Sequence, residues 1–312
     1  MRRLTADRRR STGDTTAFHP VVSILTPSWN QAKWLPDNLR SVSLQTYPNI
    51  EHIVMDGASS DDTVEILRNW DSSGSKWRSE VDLGQSDALN KALALSHGEI
   101  VGWLNSDDAF ADRRAVEWVV ATFARCPDVD VVYGHVLDTA NDGYVVRLTW
   151  SPPPWVSRLN RDLNPVKQPA AFFRRRVIED AFVRTDLHYT MDHELFLRLL
   201  HSGRAFRRIP RVLSINRHQL QRKSFARPPQ YFDEYAARVG SESWIQRAHR
   251  RTVSLIVSTG CRVVGAWSFA TLGRRLVPAS SITLPPLMTR MRLQLLTRIE
   301  PYLAARETST RS

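Results

Sequence analysis

Apolar and polar positions along residues 21–133 form a repeating pattern of short strands followed by amphipathic helices. Runs rich in β-branched residues predict strands, and apolar positions spaced three or four residues apart predict helices. Strands are predicted at residues 21–25, 50–55, 99–104 and 129–133, and helices at residues 34–44, 86–96, 113–125 and 193–201. Strands that alternate with helices favour an α/β fold with a mostly parallel sheet flanked by helices.

Two local signals add detail at the ends of these elements. Residues 26–28, with a central proline, predict a break directly after the first strand. Ser59 or Ser60 is a suitable cap for a short helix at about residues 63–67, with Asp61 and Asp62 in its first turn. We therefore interpret the two aspartates as residues that start a helix rather than as ligands.

Four polar clusters are predicted to follow strands directly, at residues 26–30, 56–62, 82–87 and 105–108. In open α/β sheets, ligands bind beyond the carboxyl ends of the strands. The sequence therefore predicts that these clusters surround one crevice.

The composition fits a folded protein of 312 residues, with 42% hydrophobic and 24% charged residues. It excludes a disordered or collagen-like chain. No uninterrupted apolar run reaches the roughly 18 residues that a membrane-spanning helix needs. Because no apolar run follows Met1 and the chain has two cysteines, we expect a cytoplasmic protein in a reducing compartment.

The formal net charge of +11 is concentrated at the two ends of the chain. Residues 1–13 contribute +4 and residues 241–312 contribute +8, which leaves residues 14–240 at −1. The neutral centre argues against nucleic-acid binding, which needs a basic surface on the folded body. We predict a basic disordered N-terminus at 1–18, a catalytic domain at 19–228 and a basic, largely helical extension at 229–312.

The turn at residues 105–108 places carboxylates directly after a strand, where Mg²⁺ or Mn²⁺ binds together with substrate phosphates. The alternative is a plain turn that leads to the next helix.

The loop that begins at Asp56 is a candidate nucleotide-binding loop. Asp56 can accept hydrogen bonds from a nucleoside, and the helix N-terminus that follows can face a phosphate. The chain has neither a P-loop lysine motif nor a G-x-G-x-x-G motif, which disfavours ATPase and dinucleotide-binding functions.

Two further segments carry candidate chemistry. Asp192 lies at the start of a helix with an apolar body and is a candidate general base, the alternative being an N-cap aspartate. Arg217 and His218, together with residues 222–224, form a basic loop that contains a hydroxyl. Such a loop could close over a diphosphate. For His218 the alternatives are a metal ligand and a residue of a solvated basic loop.

Taken together, these motifs resemble the inverting nucleotide-diphospho-sugar glycosyltransferases of family two, which have the GT-A fold. The resemblance spans residues 21 to about 225 and is carried in order by SILTPSWN (23–30), VMDGASSDDT (54–63), DLGQSDALNK (82–91), GWLNSDD (102–108), QPA (168–170) and DHEL (192–195). It implies a hexosyltransferase-type enzyme that transfers a sugar from a nucleoside-diphosphate sugar with inversion.

The resemblance also implies roles for individual residues. A nucleotide-binding role falls on Thr26, Ser28, Asn30, Asp56, Asp87 and Asn105. Asp107 is the principal candidate ligand for Mg²⁺ or Mn²⁺, and Asp192 matches the family's base. His218 is a further candidate metal ligand from its place in the basic loop, independently of the resemblance. Two positions depart from the motifs of the family. Asn105 replaces the first aspartate of the D-x-D motif, and Leu83 stands where relatives often carry Lys or Arg.

The resemblance does not cover the chain beyond about residue 230. The apolar positions of residues 288–303 share one helical face and basic positions share another, which is typical of a helix lying in a membrane surface. We therefore expect peripheral docking on the inner face of the cell membrane through anionic lipids, with a glycan or lipid-linked acceptor in surface polysaccharide synthesis. For the C-terminal segment, the alternative is a pair of helices packed on the catalytic domain. For the function, the alternatives are a nucleotidyltransferase and a non-catalytic basic scaffold that binds membrane or RNA.

Overall fold

The computed structural model describes residues 19–70, 75–140, 145–158, 164–179 and 182–217, together with residues 234, 252, 255, 256, 259, 260, 262 and 263. Between residues 19 and 217 the strands are β1 (Val22–Ser28), β2 (Ile50–Asp56), β3 (Ser75–Ser79), β4 (Ile100–Trp103), β5 (Ala109–Phe110), β6 (Val131–Thr139), β7 (Val145–Thr149), β8 (Ala171–Arg174) and β9 (Phe206–Arg217). The helices are α1 (Leu35–Ser43), α2 (Thr63–Asn69), α3 (Gln85–Leu95), α4 (Ala115–Arg125) and α5 (Met191–His201). The predicted basic N-terminus and nearly all of the predicted extension lie outside the described residues.

The strands form one sheet with the order β3-β2-β1-β4-β8-β6-β9-β5, and β7 pairs with β6. Strands β1 to β4 form a parallel block in which β1 lies between β2 and β4. β8 joins this block to β6 through antiparallel pairs on both sides, and β6 and β9 are parallel. The predicted α/β fold is confirmed, and the parallel block gathers several strand ends at one edge.

The first strand extends further than the sequence pattern predicts. Residues 26–28 continue β1 and pair with β2 up to the pair Ser28–Asp56. β4 pairs only with residues 22–25 of β1, so Pro27 lies past the end of β4. A proline is tolerated there because fewer ladder hydrogen bonds require its missing N–H. The predicted break after Leu25 is therefore wrong, and the polar cluster begins inside the strand.

The core lies on both faces of the sheet, because successive residues of a buried strand point to opposite sides. Leu25, Val101 and Phe173 belong to a cluster with α3 and α5, whereas Ile24, Ile100 and Phe172 belong to a cluster with α4. A smaller cluster joins α1 and α2 to the sheet. Burial on both faces explains why the central strands consist of continuous apolar runs.

Candidate functional site

The carboxyl ends of β1, β2 and β3 bring three polar residues into register. Ser28 pairs with Asp56 across β1 and β2, and Asp56 pairs with Ser79 across β2 and β3. The Asp56 carboxylate is 1% exposed and accepts hydrogen bonds from the Ser59 N–H (3.0 Å), the Ser59 hydroxyl and the Ser79 hydroxyl (2.6 Å). Asp56 therefore fixes the loop that follows β2 at the crevice.

The loop after β1 is joined to the loop after β2 by Asn30. Asn30 has a left-handed backbone, with φ of 52°, a conformation that asparagine tolerates better than most residues. Its N–H donates to the Ser59 hydroxyl (2.7 Å) and its Oδ1 accepts from the Ser60 N–H (2.8 Å). The first two predicted polar clusters therefore form one hydrogen-bonded unit.

The same contacts correct the predicted cap of α2. Ser59 and Ser60 are engaged by Asp56 and Asn30, so neither caps the helix. Asp61 instead accepts from the hydroxyl (2.5 Å) and the N–H (3.1 Å) of Thr63 and, across the loop, from the N–H of Ala32 (3.0 Å). Burial disfavours the charged form of Asp61, but these hydrogen bonds outweigh it and lower its pKa. Asp61 is a helix-start residue, as interpreted from the sequence.

The two hydroxyl residues of β1 occupy different surroundings. Thr26 is fully buried, with Oγ1 2.9 Å from Nε2 of His52. Burial lowers the pKa of His52 from 6.5 to about 3, so this imidazole is neutral at physiological pH. Ser28 is 4% exposed, and its hydroxyl has no hydrogen-bond partner among the described residues. Thr26 and Ser28 lie two residues apart in β1, so their side chains share one face of the sheet, and Ser28 lies nearer to the loops because it is the last residue of the strand.

Asn105 follows β4 and is held by three side chains. Its Oδ1 accepts from Nε1 of Trp103 (2.7 Å) and Nε2 of Gln85 (2.8 Å), and its Nδ2 donates to Oε1 of Gln168 (3.1 Å). Gln168 also donates to the carbonyl oxygen of Trp103 (2.8 Å). Both acceptor positions of the amide oxygen are therefore used within the protein, which leaves one N–H of Asn105 for a ligand.

A buried asparagine that the sequence analysis missed secures the same turn from α1. Asn38 is fully buried, and its Nδ2 donates to the carbonyl oxygens of Asn105 (2.9 Å) and Asp108 (3.1 Å). The turn is closed by a hydrogen bond from the Asp108 N–H to the Asn105 carbonyl (2.9 Å). Asp107 is half-buried within the turn, whereas Asp108 is 1% exposed. Asp107 is the more accessible of the two carboxylates.

α3 connects this turn to the segment that carries Asp192. Besides the contact from Gln85, the Ser86 hydroxyl donates to the Leu187 carbonyl (3.0 Å). Asn90, one turn further along α3, donates to the carbonyl of Val183 (2.9 Å) and accepts from its N–H (3.3 Å). The DLGQSDALNK motif therefore has a structural explanation, since its polar residues join the turn at residues 105–108 to the segment leading into α5.

Asp192 lies in the first turn of α5, after the N-cap residue Thr190. It is half-buried, and its Oδ1 accepts from the N–H of His193 (2.7 Å). The predicted alternative of an N-cap aspartate is thus wrong, because Thr190 holds that position. The segment before α5 reaches the loop before α3, since a Cβ built on Gly84 would lie 3.6 Å from Nδ1 of His188.

The loop before α3 lies over the end of β2. A Cβ at Gly57 would lie 2.7 Å from Oδ2 of Asp82, so the Asp82 carboxylate lies directly over Gly57. Asp87 accepts from the N–H of Leu83 (3.1 Å) and pairs with Lys91 Nζ (3.1 Å). The Leu83 N–H lowers the pKa of Asp87 the most. Asp87 thus stabilises the loop, and Leu83 is 78% exposed.

The basic segment at the end of β9 is described only up to Arg217. Arg217 is 3% exposed, donates through Nη2 to Asp37 (2.9 Å), and lies 4.5 Å from the ring centroid of Trp34. These contacts anchor the end of β9 on the start of α1. His218 and residues 222–224 lie outside the described residues, so the predicted metal ligand at His218 stays a prediction.

Within the described residues, no group of three or more His, Cys, Asp or Glu side chains is arranged to hold a metal ion. None of the helices in this part of the chain combines the length and apolar character needed to cross a membrane.

Comparison with known proteins identifies the family. The family model described as Glycosyl transferase family 2 matches residues 23–182, which are 160 of the 312 residues. An uncharacterised glycosyltransferase of Mycobacterium tuberculosis is 35% identical over 120 residues, 38% of this chain and 46% of the relative. TuaG of Bacillus subtilis, whose name assigns it to teichuronic acid biosynthesis, is 35% identical over 96 residues, 30% of this chain and 38% of TuaG.

A third relative, a PGL/p-HBAD biosynthesis glycosyltransferase of Mycobacterium bovis, is 31% identical over 121 residues, 38% of this chain and 47% of the relative. The chain therefore spans less than half the length of each of these curated relatives.

Solved structures share the fold at low sequence identity. The mannosyltransferase PcManGT of Pyrobaculum calidifontis, in complex with GDP-Man and Mn²⁺, has a TM-score of 0.57 and 20% identity over 95% of this chain and 85% of its own. Glucosyl-3-phosphoglycerate synthase of Mycobacterium tuberculosis, in complex with Mn²⁺, UDP and phosphoglyceric acid, has a TM-score of 0.52 and 21% identity over 72% and 80%. The sheet and its flanking helices are thus those of GT-A glycosyltransferases.

Proposed function

The chain belongs to glycosyl transferase family 2, and from this premise we propose that it is an inverting, hexosyltransferase-type enzyme. It moves a sugar from a nucleoside-diphosphate sugar to a hydroxyl of a glycan or lipid-linked acceptor. The observation that carries the proposal is the set of α3 contacts, because Gln85 contacts the Asn105 turn while Ser86 and Asn90 hold the segment before Asp192. One helix therefore fixes the position of the donor-side groups relative to the acceptor-side groups.

The nucleoside would bind at the joined loops after β1 and β2. A carboxylate has about four acceptor positions, of which Asp56 uses three on Ser59 and Ser79. Asp56 therefore acts mainly by ordering the loop, with one acceptor position left for the nucleoside. Ser28, which is paired with Asp56 at the strand ends, and Asn30, which joins the two loops, complete the binding surface.

A divalent metal fits this site when the donor phosphates supply most of its ligands. Mg²⁺ is commonly bound through one or two carboxylates plus substrate phosphates, and Asp107 is a half-buried carboxylate at a strand end. Asn105 is committed to Trp103, Gln85 and Gln168 and adds no charge. When bound, the metal would neutralise charge that develops on the leaving diphosphate. Asp107 would be its protein ligand among the described residues, with His218 as a candidate beyond them.

Asp192 would act as the general base on the acceptor side. The reaction is a single in-line displacement in which the acceptor oxygen attacks the anomeric carbon as the bond to the diphosphate oxygen breaks. The proton of the acceptor hydroxyl passes to a carboxylate oxygen of Asp192. The anomeric configuration inverts because attack and departure take place on opposite faces.

The acceptor is proposed to be a glycan or a lipid-linked glycan at the inner face of the cell membrane. The support comes from the basic C-terminal sequence, which suits anionic lipid, and from relatives named for teichuronic acid and PGL/p-HBAD biosynthesis. Flotation of the full chain with liposomes containing anionic lipid should exceed that of a chain truncated at Pro228. Equal flotation of the two proteins would overturn membrane docking by the extension.

The experiment that tests the reaction class is a thermal-shift panel with UDP, GDP, dTDP, CDP and ATP, each with Mn²⁺, Mg²⁺ or EDTA. A ligand that binds only the folded state raises its apparent stability. Metal-dependent stabilisation by a nucleoside diphosphate supports the proposal and selects the donor class for transfer assays. Stabilisation by ATP alone would favour a nucleotidyltransferase, and no stabilisation by any nucleotide would favour a non-catalytic scaffold.

Two substitutions test the assigned roles against one exposed control position, Asp128. Asp192→Asn should abolish transfer while donor binding stays close to that of Asp128→Asn. Retention of most of the turnover would overturn the role of Asp192. Asp107→Ala should weaken donor binding in Mn²⁺ relative to Asp128→Ala, and an unchanged affinity would exclude Asp107 as a ligand.

A further inference from the structure

A carboxylate from beyond β9 binds the segment that leads into α5. Oε1 of Glu234 accepts from the N–H of His188 (2.8 Å), and Oε2 accepts from the N–H groups of Tyr189 (3.1 Å) and Thr190 (3.0 Å). Oε2 also accepts from the Thr190 hydroxyl (3.0 Å). Three consecutive backbone N–H groups and one hydroxyl therefore converge on a single side chain 44 residues away from Thr190.

These contacts replace the local cap that the sequence of α5 leads one to expect. Thr190 is the N-cap residue and belongs to a residue type that favours this position, yet its side chain makes no capping hydrogen bond within α5. Its hydroxyl is turned to Glu234 instead. The conformation of residues 188–190 thus depends on a residue outside both α5 and the region matched by the family model, which ends at residue 182.

The charge of Glu234 is suited to this task. Burial disfavours its ionised form, but the hydrogen bonds from His188, Tyr189 and Thr190 outweigh that effect and lower its pKa. Hydrogen bonds to an ionised acceptor are stronger than those between neutral groups. The carboxylate is therefore ionised at neutral pH and holds three N–H groups that a neutral side chain would hold less firmly.

The held segment lies between the two halves of the proposed reaction site. On one side, a Cβ at Gly84 would lie 3.6 Å from the His188 ring. On the other side, the segment ends at the first turn of α5, where Asp192 lies two residues after Thr190. Ser86 fixes the Leu187 carbonyl just before it. The orientation of the first turn of α5 is thus set by α3 at one point and by Glu234 at the next three residues.

We propose that Glu234 is a positioning residue for the transfer reaction, which orients Asp192 by fixing residues 188–190. This inference rests on the proposed function, because it assigns a purpose to the alignment of Asp192. It also gives the segment after β9 a part in the reaction. A displacement of about 1 Å in a reacting group can lower a rate roughly 100-fold.

The first test needs no substrate. Amide hydrogen exchange of the full chain should show roughly tenfold faster exchange in residues 188–190 for Glu234→Gln than for the parent, because bonds to the charged acceptor are lost. Glu65→Gln, at an exposed glutamate on α2, is the matched control and should leave this segment unchanged. Unchanged exchange in Glu234→Gln would overturn the proposal.

The second test uses the donor selected by the thermal-shift panel. Glu234→Ala should lower kcat roughly 10- to 100-fold while the KM for the donor stays near that of the parent. The substitution removes one methylene and the carboxylate, so added acetate should restore part of kcat. Acetate should not affect Glu65→Ala. Loss of donor binding together with kcat, or a kcat that acetate does not restore, would overturn positioning in favour of general support of the fold.

The outcome for Asp192 is read separately. If Asp192→Asn keeps its turnover, the proposed base is wrong whatever the exchange experiment shows. If Asp192→Asn is inactive while Glu234→Ala keeps full kcat, the proposed function stands and the positioning role of Glu234 is overturned.

Discussion

Replacement of Asn38 by alanine should destabilise the protein and loosen the turn that carries Asp107. The Asn38 amide is fully buried, and its Nδ2 serves the carbonyl oxygens of both Asn105 and Asp108. Loss of a partner for a buried polar group costs about 1–3 kcal/mol. Asn38→Ala breaks both hydrogen bonds, although the Asn105 carbonyl keeps the N–H of Asp108 as a donor. It also leaves a cavity, and water entering that space offsets part of the loss, so we expect a decrease of about 2–4 kcal/mol in the free energy of unfolding.

Urea unfolding followed by tryptophan fluorescence measures this change. Asn69→Ala, at an exposed asparagine at the end of α2, is the matched control and should stay within about 0.5 kcal/mol of the parent. At about 2–4 °C per kcal/mol for a domain of this size, the melting temperature of Asn38→Ala should fall by roughly 5–15 °C. Stabilisation by the nucleoside diphosphate and Mn²⁺ should decrease as well, because the turn holding Asp107 is less fixed.

Asn38→Asp separates the loss of the donor from the creation of a cavity. Aspartate keeps the volume of asparagine but turns an oxygen toward the two carbonyl oxygens, so it should destabilise at least as much as alanine. A stability of Asn38→Ala equal to that of Asn69→Ala would refute the reasoning. A mild effect of Asn38→Asp beside a large effect of Asn38→Ala would show that packing, rather than the hydrogen bonds, fixes the turn.

Two other substitutions have expected outcomes that follow from the geometry. Burial holds the pKa of His52 at about 3 against an ordinary 6.5, so the unfolded chain binds a proton that the folded protein excludes between these values. The contribution of this residue to the free energy of unfolding should therefore fall by about 1.4 kcal/mol per pH unit as the pH drops from about 6.5 toward 3. In urea unfolding at several pH values across that range, the free energy of unfolding of His52→Gln should depend less on pH than that of the parent. Asn105→Asp keeps both accepted bonds but places an oxygen against Oε1 of Gln168, so it should cost about 1–3 kcal/mol. Calorimetry with Mn²⁺ and the donor diphosphate should show little gain in affinity, and a tenfold gain would mean that the Asn105 side chain is free to turn toward the metal.

The alternation of strands and helices was predictable because it follows from local side-chain pattern. Buried parallel strands require apolar runs, and amphipathic helices require apolar positions at helical spacing, so α1, α3, α4 and α5 were predicted within a few residues. The meeting of the polar clusters was predictable for a topological reason, since parallel strands end at the same edge. The contact of Asn30 with Ser60 confirms this expectation for the first two clusters.

The choice of hydrogen-bond partners was not predictable from local pattern. Four consecutive residues suit the start of a helix, namely Ser59, Ser60, Asp61 and Asp62. Which of them caps α2 depends on Asn30, which lies 30 residues before Ser60 and accepts a hydrogen bond from its N–H. Asn38 reads locally as one polar residue on an amphipathic helix, although its partners Asn105 and Asp108 are 67 and 70 residues away. Nothing within a single helix indicates that such a residue is buried.

The position of α3 explains how one motif contacts both halves of the proposed site. Leu89 is fully buried and anchors the helix on the sheet, in the cluster that contains Leu25 and Val101. Ser86 and Asn90 are four residues apart and therefore share a face, which binds the segment before α5, whereas Gln85 lies on a neighbouring face toward Asn105. Because the helix is held by the core, the turn at residues 105–108 and the start of α5 cannot separate unless hydrogen bonds to α3 break. Their relative geometry is thus set by folding, before any substrate binds.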